Sequence, residues 1–272
     1  MAKLTEYTEA TRFDANDILI KDGTNGTKKI KTANAAVEFA GLVSAVNHRN
    51  VFRGKNLGTS VTAAQKTAIS NGTFDDLFIG DYWVINGVNW TIADMDYWYN
   101  HGDTAFTRHH LVIVPASNLY NAVMNDTNIT TGGYTGSKMY TEGLAQAKTA
   151  FNNAFGDMVL SHREYLINAV TDGHASAGAW FDSTVDLMNE IMVYGCMIRA
   201  QANGPTAVTT TTNSKQQLAL YRLNTKALDK RETFWLRDVV SAAAFANVTG
   251  SGYAYNYYAS YSCGVRPVAA IG

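Results

Sequence analysis

The chain has 272 residues, 46% of them hydrophobic and only 17% charged, and its 22 Lys and Arg against 23 Asp and Glu leave a net charge of −1. A pI near 6.6 offers no clustered basic surface to displace counterions from phosphates, which sets nucleic acid aside as a partner. No apolar run approaches the roughly 20 residues of a membrane span, and the opening "MAKLTEYTEATRFDAND" lacks the basic-then-apolar layout of a secretory leader, so synthesis in the cytoplasm without membrane insertion is expected.

In chain order, "DILIKDGTNGTKKIKT" alternates apolar residues on either side of Asp22-Gly23-Thr24-Asn25-Gly26 and reads as a β-hairpin. "ANAAVEFAGLVSAV" follows with helical spacing of Ala36, Phe39, Ala40 and Val43. A hairpin and helix this short bury too little apolar surface to stand alone, so residues 1–47 are expected to pack on copies of themselves or on a host structure. "HRNVFRGKNLG", residues 48–58, is basic and irregular and reads as a connector; the main domain is then 59–272.

"VTAAQKTAISNGTF" predicts a helix closed by Asn71-Gly72, and "DYWVINGVNWTIADMDYW" a hairpin turning at Asn86-Gly87 with Trp83, Trp90 and Trp98 in the core. "HHLVIVPA" predicts a buried strand ending at Pro115. "SKMYTEGLAQAKTAFNNAFG" predicts a helix capped by Ser137 and Gly156, with Met139, Leu144, Ala147, Phe151 and Phe155 on one face. "DSTVDLMNEIMVYG" reads as a second helix, with Ser183 and Asp186 as a variant capping box and Val185, Met188, Ile191 and Met192 inward. A Thr-rich loop, "QANGPTAVTTTTNS", and a short helix, "KQQLALYRLN", come next. "TFWLRDVV" and "GVRPVAAI" are strands flanking a long Ala, Gly, Ser, Asn and Tyr segment, and the whole is expected to be α+β with two main helices and short antiparallel strands.

The titratable residues give little chemistry. His109 and His110 are adjacent, so in a strand they face opposite ways and cannot chelate one ion together. His162, in "SHREYL", reads as a surface or helix-start histidine rather than a base, because no nucleophile motif accompanies it. Asp94 and Asp96 share a strand face and read as strand-end aspartates bonded to loop amides. Cys196 and Cys263 match no metal or redox spacing and read as free thiols. No cofactor, metal or catalytic residue is expected.

The segment "SGYAYNYYASYSCGVRP" is different, with five tyrosines between Tyr253 and Tyr261 and no charged residue between Asp238 and Arg266. Tyrosine offers large rigid contact area at the cost of two torsions, while Ser, Gly and Asn supply adaptable hydrogen bonding. Interfaces enrich aromatics and deplete charge, so the composition points to a contact surface; a half-buried strand with ordinary aromatic pairs is the competing reading.

These residues also carry a resemblance. "TFWLRDVV", the Ser, Gly and Tyr run and "GVRPVAAIG", together with "IGDYWVINGVNWTIADMDYW", "HHLVIVP", "LSHREYL" and "STVDLMNEIMVYG", resemble a C-type-lectin-like domain family of phages and prophages, over about Phe52 to Gly272. "RFDANDILIKDGTNGTKKIKTANAAVEFA" is similar to the opening segments of phage head-fibre proteins. The resemblance implies a virion protein whose N-terminal element binds a phage capsid or tail protein, and whose display domain contacts a host bacterial surface protein or glycan. Fibre-like proteins are commonly symmetric, so a homotrimer is expected.

Some domains of this family are the variable proteins of diversity-generating retroelements. Carried over by position, exposed ligand-binding sites would be Phe245, Asn247, Thr249, Ser251, Tyr253, Tyr255, Asn256, Tyr257, Tyr258, Ser260 and Cys263, with Trp235, Leu236, Arg237, Val265, Arg266 and Pro267 as scaffold. The calcium-lectin motifs Glu-Pro-Asn, Gln-Pro-Asp and Trp-Asn-Asp are missing from the sequence, which implies calcium-independent contact. Two alternatives remain: a capsid decoration or head fibre without receptor contact, and a thiol oxidase like the formylglycine-generating relatives of the fold, which needs Cys196 and Cys263 close enough to bridge copper.

Overall fold

The computed structural model describes residues 18–21, 28–31, 45–200 and 216–272. Strand β1 (Ile18–Lys21) pairs antiparallel with β2 (Lys28–Lys31), Lys21 opposite Lys28, where the first hairpin is expected. Most of the helix expected at 33–46 and the Thr-rich loop at 201–214 lie outside the described residues.

Residues 48–58 do not behave as a connector, because their basic side chains find carboxylates on the domain. The buried His48 ring stacks on Phe78 at 4.5 Å, with Nδ1 at 2.8 Å and 3.0 Å from the carbonyl oxygens of Phe74 and Leu77. Arg49 pairs with the buried Asp94, and Arg53 lies over the Phe78 ring and reaches Asp81 at 2.6 Å. Parallel bridges from Phe52 to Ile79 and from Asn56 to Tyr82 complete the docking.

Helix α1 (Ala63–Ser70) opens on a capping box between Thr62 and Gln65 and closes at Asn71, as its sequence dictates. In the hairpin of β3 (Tyr82–Ile85) and β4 (Val88–Met95), Asn86 and Gly87 both take positive φ, the requirement of a two-residue type I′ turn. Trp83, Trp90 and Trp98 are at most 2% exposed. Strand β5 (Leu111–Pro115) is buried throughout, and β6 (Tyr120–Ala122) follows. One π-helical turn (Met139–Gly143) leads into α2 (Ala145–Phe155). That turn lets Met139 and Leu144, five positions apart, share the inward face with Phe151 and Phe155, whose rings meet Trp90 at 4.6 Å and 5.5 Å.

The second expected main helix is a correction. After β7 (Val159–Leu160), strands β8 (His162–Thr171) and β9 (His174–Ser183) form a long ribbon turning at Asp172-Gly173, both with positive φ. Residues 185–187 then form β10 (Val185–Leu187), and only α3 (Glu190–Tyr194) is helical, capped by Asn189 and closed by Gly195 in the left-handed region. The expected capping pair exists as a Ser183–Asp186 hydrogen bond, but it lies in a strand connection. Tertiary pairing of Val185–Leu187 with the last strand overrides the local helical spacing. Helix α4 (Ala219–Leu223) is short, leaving α2 as the one helix longer than eight residues among the described residues.

The chain ends in β11 (Phe234–Val239), β12 (Ala244–Val248), β13 (Ala254–Tyr258), β14 (Cys263–Val265) and β15 (Pro267–Ile271). One sheet has the order β10-β15-β5-β4-β3 with β7 also on β15, and the other β13-β12-β11-β14-β6, so the fold is mixed α and β, mostly sheet with few helices. The two sheets share one continuous core. Arg266 stands where the chain crosses between them, fully inside, donating to the Pro115 and Ala227 carbonyls at 2.9 Å and 3.0 Å and lying over the rings of Phe234 and Tyr221.

A second buried cation joins three elements. Arg237 of β11 donates to Glu164 of β8 at 2.9 Å, and the Trp98 indole donates to the same carboxylate at 2.5 Å. Burial pushes the Glu164 carboxyl up, but Arg237, His162 and Trp98 together outweigh it and hold it at about 2. Removing one partner of such a pair leaves an uncompensated charge. Arg237→Leu is therefore expected to lower stability by about 3–5 kcal/mol in urea unfolding, and adding Glu164→Gln should recover part of the loss; an Arg237→Leu midpoint equal to wild type would contradict this account.

Candidate functional site

The tyrosine run folds into the β12–β13 hairpin and the turn that leaves it. Its tight loop is closed by Thr249, whose N–H donates to the Tyr253 carbonyl at 2.8 Å and whose hydroxyl accepts from Tyr253 N–H at 3.0 Å. Gly252 takes φ +80° there, and its carbonyl accepts the Tyr194 hydroxyl at 3.1 Å.

The outward tyrosines are Tyr253 at 73% exposure, Tyr258 at 52%, Tyr261 at 50% and Tyr255 at 47%. Tyr257 is half-buried, its ring edge-on to Trp235 at 6.5 Å, and it links the others: Tyr255 lies 5.6 Å and Tyr261 5.5 Å from it, and Tyr258 lies 5.8 Å from Tyr261. Four of these rings thus form one chain over the frame, two of its links edge-to-face and the Tyr257–Tyr261 link tilted.

Ser251 is exposed and Thr249, Asn256 and Ser260 are half-buried along the same rim, so these sites come together with the tyrosines. Three expected contact positions do not. Phe245 and Asn247 are fully buried in β12, and Cys263 is 5% exposed in β14. Strand β12 has both edges paired, by β11 and β13, and is buried at every position, so both of its faces are covered, and the chain passes through the core again at β14. The Asn247 amide, opposite Tyr255 and Trp235 in register, has no hydrogen-bond partner at either end. The expected scaffold residues Trp235, Leu236, Arg237, Val265, Arg266 and Pro267 are all buried.

Sequence reading missed three contributors. Tyr261 lay within the run. Asn128 receives both the backbone N–H and the hydroxyl of Ser260, at 3.2 Å and 2.8 Å, fixing the turn beside a polar cleft of about 420 Å³ lined by Asn125, Asp126, Lys138 and Glu142. Arg199 donates to Asn256 Oδ1 through Nε and Nη2 at 3.1 Å and 2.5 Å and lies over the Tyr255 ring at 5.4 Å. No local pattern announces Arg199, because its placement depends on the buried Glu190, whose carboxylate accepts the successive N–H groups of Ile198, Arg199 and Ala200.

The other candidate residues are structural. Asp94 accepts from Met95 and Ala219 N–H and pairs with Arg49, while Asp96 accepts His110 N–H and pairs with His109, so the two carboxylates do not work together. His162 is a buried strand residue whose ring lies tilted against Trp98 at 4.0 Å, not a surface or helix-start histidine. Both cysteines are free; Cys196 is exposed, and burial pushes the Cys263 thiol up to about 12, which disfavours a thiolate there. Among the described residues, no group of three or more His, Cys, Asp or Glu side chains is placed to hold a metal ion, and no helix is long and apolar enough to cross a membrane.

No protein-family model, curated protein or solved structure matches this chain.

The carboxyl group that holds the Glu190 backbone, Asp238, titrates. Asp238 Oδ2 accepts the Glu190 N–H at 2.7 Å, and desolvation, followed by the neighbouring Glu190 charge, raises the Asp238 carboxyl from 3.8 to about 7. Folding therefore takes up a proton between those values, and this group's contribution to stability falls as pH rises from about 4 to about 7. Burial lowers His110 from 6.5 to about 4, which gives the opposite slope in an overlapping window. Asp238→Asn isolates the first effect: relative to wild type it is expected to gain stability steadily as pH rises through that window, read as urea midpoints at a series of pH values. A difference independent of pH would refute the assignment.

Proposed function

We propose that this chain is a phage virion protein of the C-type-lectin-like family that displays the tyrosine-rich hairpin to a ligand on a host bacterial surface. Residues 1–47 attach it to the particle and assemble it, as a homotrimer. The observation that carries the reading is the contrast within one segment: Tyr253, Tyr255, Tyr258 and Tyr261 face solvent, while Trp235, Arg237 and Arg266 beside them are buried and bonded into the frame. A rigid frame that presents uncharged, low-entropy aromatic contacts is the chemistry of a recognition surface. Under diversification by a retroelement, the positions free to vary are the outward ones, from Thr249 to Ser260, without Phe245, Asn247 and Cys263.

Tyr253→Ser, Tyr255→Ser and Tyr258→Ser in one variant tests this, with Tyr257 kept because its ring meets Trp235. Surface changes of this kind alter stability by about 0.5 kcal/mol or less each, so the variant should fold. It is expected to lose binding to those cells, in a panel of gut bacteria, that the wild type binds. A variant that binds as well as wild type removes the tyrosines from the interface. If neither protein binds any cell while wild type alone assembles on phage particles, a capsid decoration is the better reading.

A further inference from the structure

Strand β13 ends its sheet, and β12 is its only partner among the described residues. Which of its backbone groups face outward follows from register. Phe245 stands opposite Tyr257 and Asn247 opposite Tyr255, and the ladder is continued by Thr249 N–H to the Tyr253 carbonyl and Ala259 N–H to the Ala243 carbonyl. Hydrogen-bonded pairs alternate in an antiparallel ladder. The N–H and C=O groups of Tyr253, Tyr255 and Tyr257 therefore point into the sheet, and those of Ala254 and Asn256, with the N–H of Tyr258, point to the open edge. The Tyr258 carbonyl is taken by Tyr261 N–H at 2.9 Å.

Proteins ordinarily blunt such an edge with Lys, Pro or a bulge. Strand β13 has none of these: its sequence is AYNYY and its pairing with β12 is regular. The run from 239 to 265 carries no charge at all. The cation at this edge is Arg199, brought in from outside the run and set against Asn256 and Tyr255. Ile198, beside it in sequence, is 50% exposed.

We infer that the ligand of this surface is an extended polypeptide segment of a host protein, which adds as a strand to the open edge of β13, with a carboxylate side chain meeting Arg199 and neighbouring side chains between the outward tyrosines. This rests on the recognition reading above and names the ligand's class. Main-chain hydrogen bonds to Ala254, Asn256 and Tyr258 supply affinity that does not depend on the tyrosine side chains, and the tyrosines select among sequences. Charge complementarity with Arg199 favours a segment carrying one Asp or Glu among apolar residues over a basic one.

The test uses the full chain and a displayed library of random linear 12-residue peptides. Peptides enriched on the wild type are expected to carry an acidic residue, to slow amide exchange in the fragment spanning Ala254–Tyr258, and to bind Asn256→Pro more than tenfold more weakly. Proline is tolerated on edge strands, where the N–H it removes points outward, and this variant also loses the Arg199 contact of the Asn256 side chain. Asn256→Ala, which keeps that N–H but loses the Arg199 contact, should retain most of the binding. The exchange measurement needs no variant, so it stands even if Asn256→Pro fails to fold. An empty selection, peptides that bind Asn256→Pro like wild type, or peptides that leave the fragment's exchange unchanged would overturn strand addition. So would cell binding that survives protease treatment of the cells, which assigns the surface to a glycan, or a dimer abolished by Asn256→Pro, which assigns the edge to a second copy. Each of these leaves the tyrosine variant's result intact, so the two readings fail separately.

Discussion

The interior of this protein is organised by a charge that water cannot reach. Desolvating Arg237 and Glu164 costs several kcal/mol per ion, which only close pairing and satisfied hydrogen bonds repay. That condition forces three elements into one arrangement: β11 brings the guanidinium, β8 the carboxylate, and the turn after β4 the Trp98 indole that occupies the second oxygen. Asp186, bonded to Tyr134 and Ser183, faces the same guanidinium. A shifted register in any of these strands would strand a charge, so the network specifies the packing as much as it stabilises it. Arg266 does the same at the crossing between sheets, using carbonyl oxygens and aromatic faces in place of carboxylates.

That rigidity matters most for the hairpin that follows β11 directly. Strand β12 is locked between β11 and β13, so the outer strand inherits a fixed position without contributing much to the core. The division of labour is visible residue by residue: Phe245 and Tyr257 are paired in register, yet the first is a core residue and the second only half-covered. A second chain of interactions holds the rim, from Asp238 through Glu190 to the backbone of 198–200 and then Arg199. The geometry of the aromatic edge is thus coupled to two buried carboxyl groups, the Glu190 charge acting on Asp238.

Local signals in the sequence were reliable where the local chain decides. Asn86-Gly87, the close of α1 at Asn71, the tryptophan-rich hairpin and the inward face of α2 all form as their residues dictate. The error at 182–195 arose because Val185, Met188, Ile191 and Met192 have helical spacing, whereas a buried strand followed by one helical turn hides the same residues; only the pairing with β15 decides between them. The Asp172-Gly173 turn carries its own hairpin signal, an Asp-Gly pair at the two positions of positive φ. At the site, composition identified the aromatic rim but not its inner limit, because a strand covered on both faces has no alternation to read. Arg199 and Asn128 were invisible for another reason: each is brought in by long-range contacts.

Asn247 gives the hairpin one more meaning. Its buried amide forgoes hydrogen bonds at both ends, and a polar group sealed away in that manner costs about 1–3 kcal/mol. The packing around β12 must offset that cost, so part of what the core contributes is absorbed by one residue of the inner strand. Further unfavourable residues are least tolerable there, where the cost already sits, and more tolerable along the exposed side of β13, whose side chains add little to the core. The hairpin thus has unequal halves: one strand whose residues are held by energy, and one whose residues are open to change.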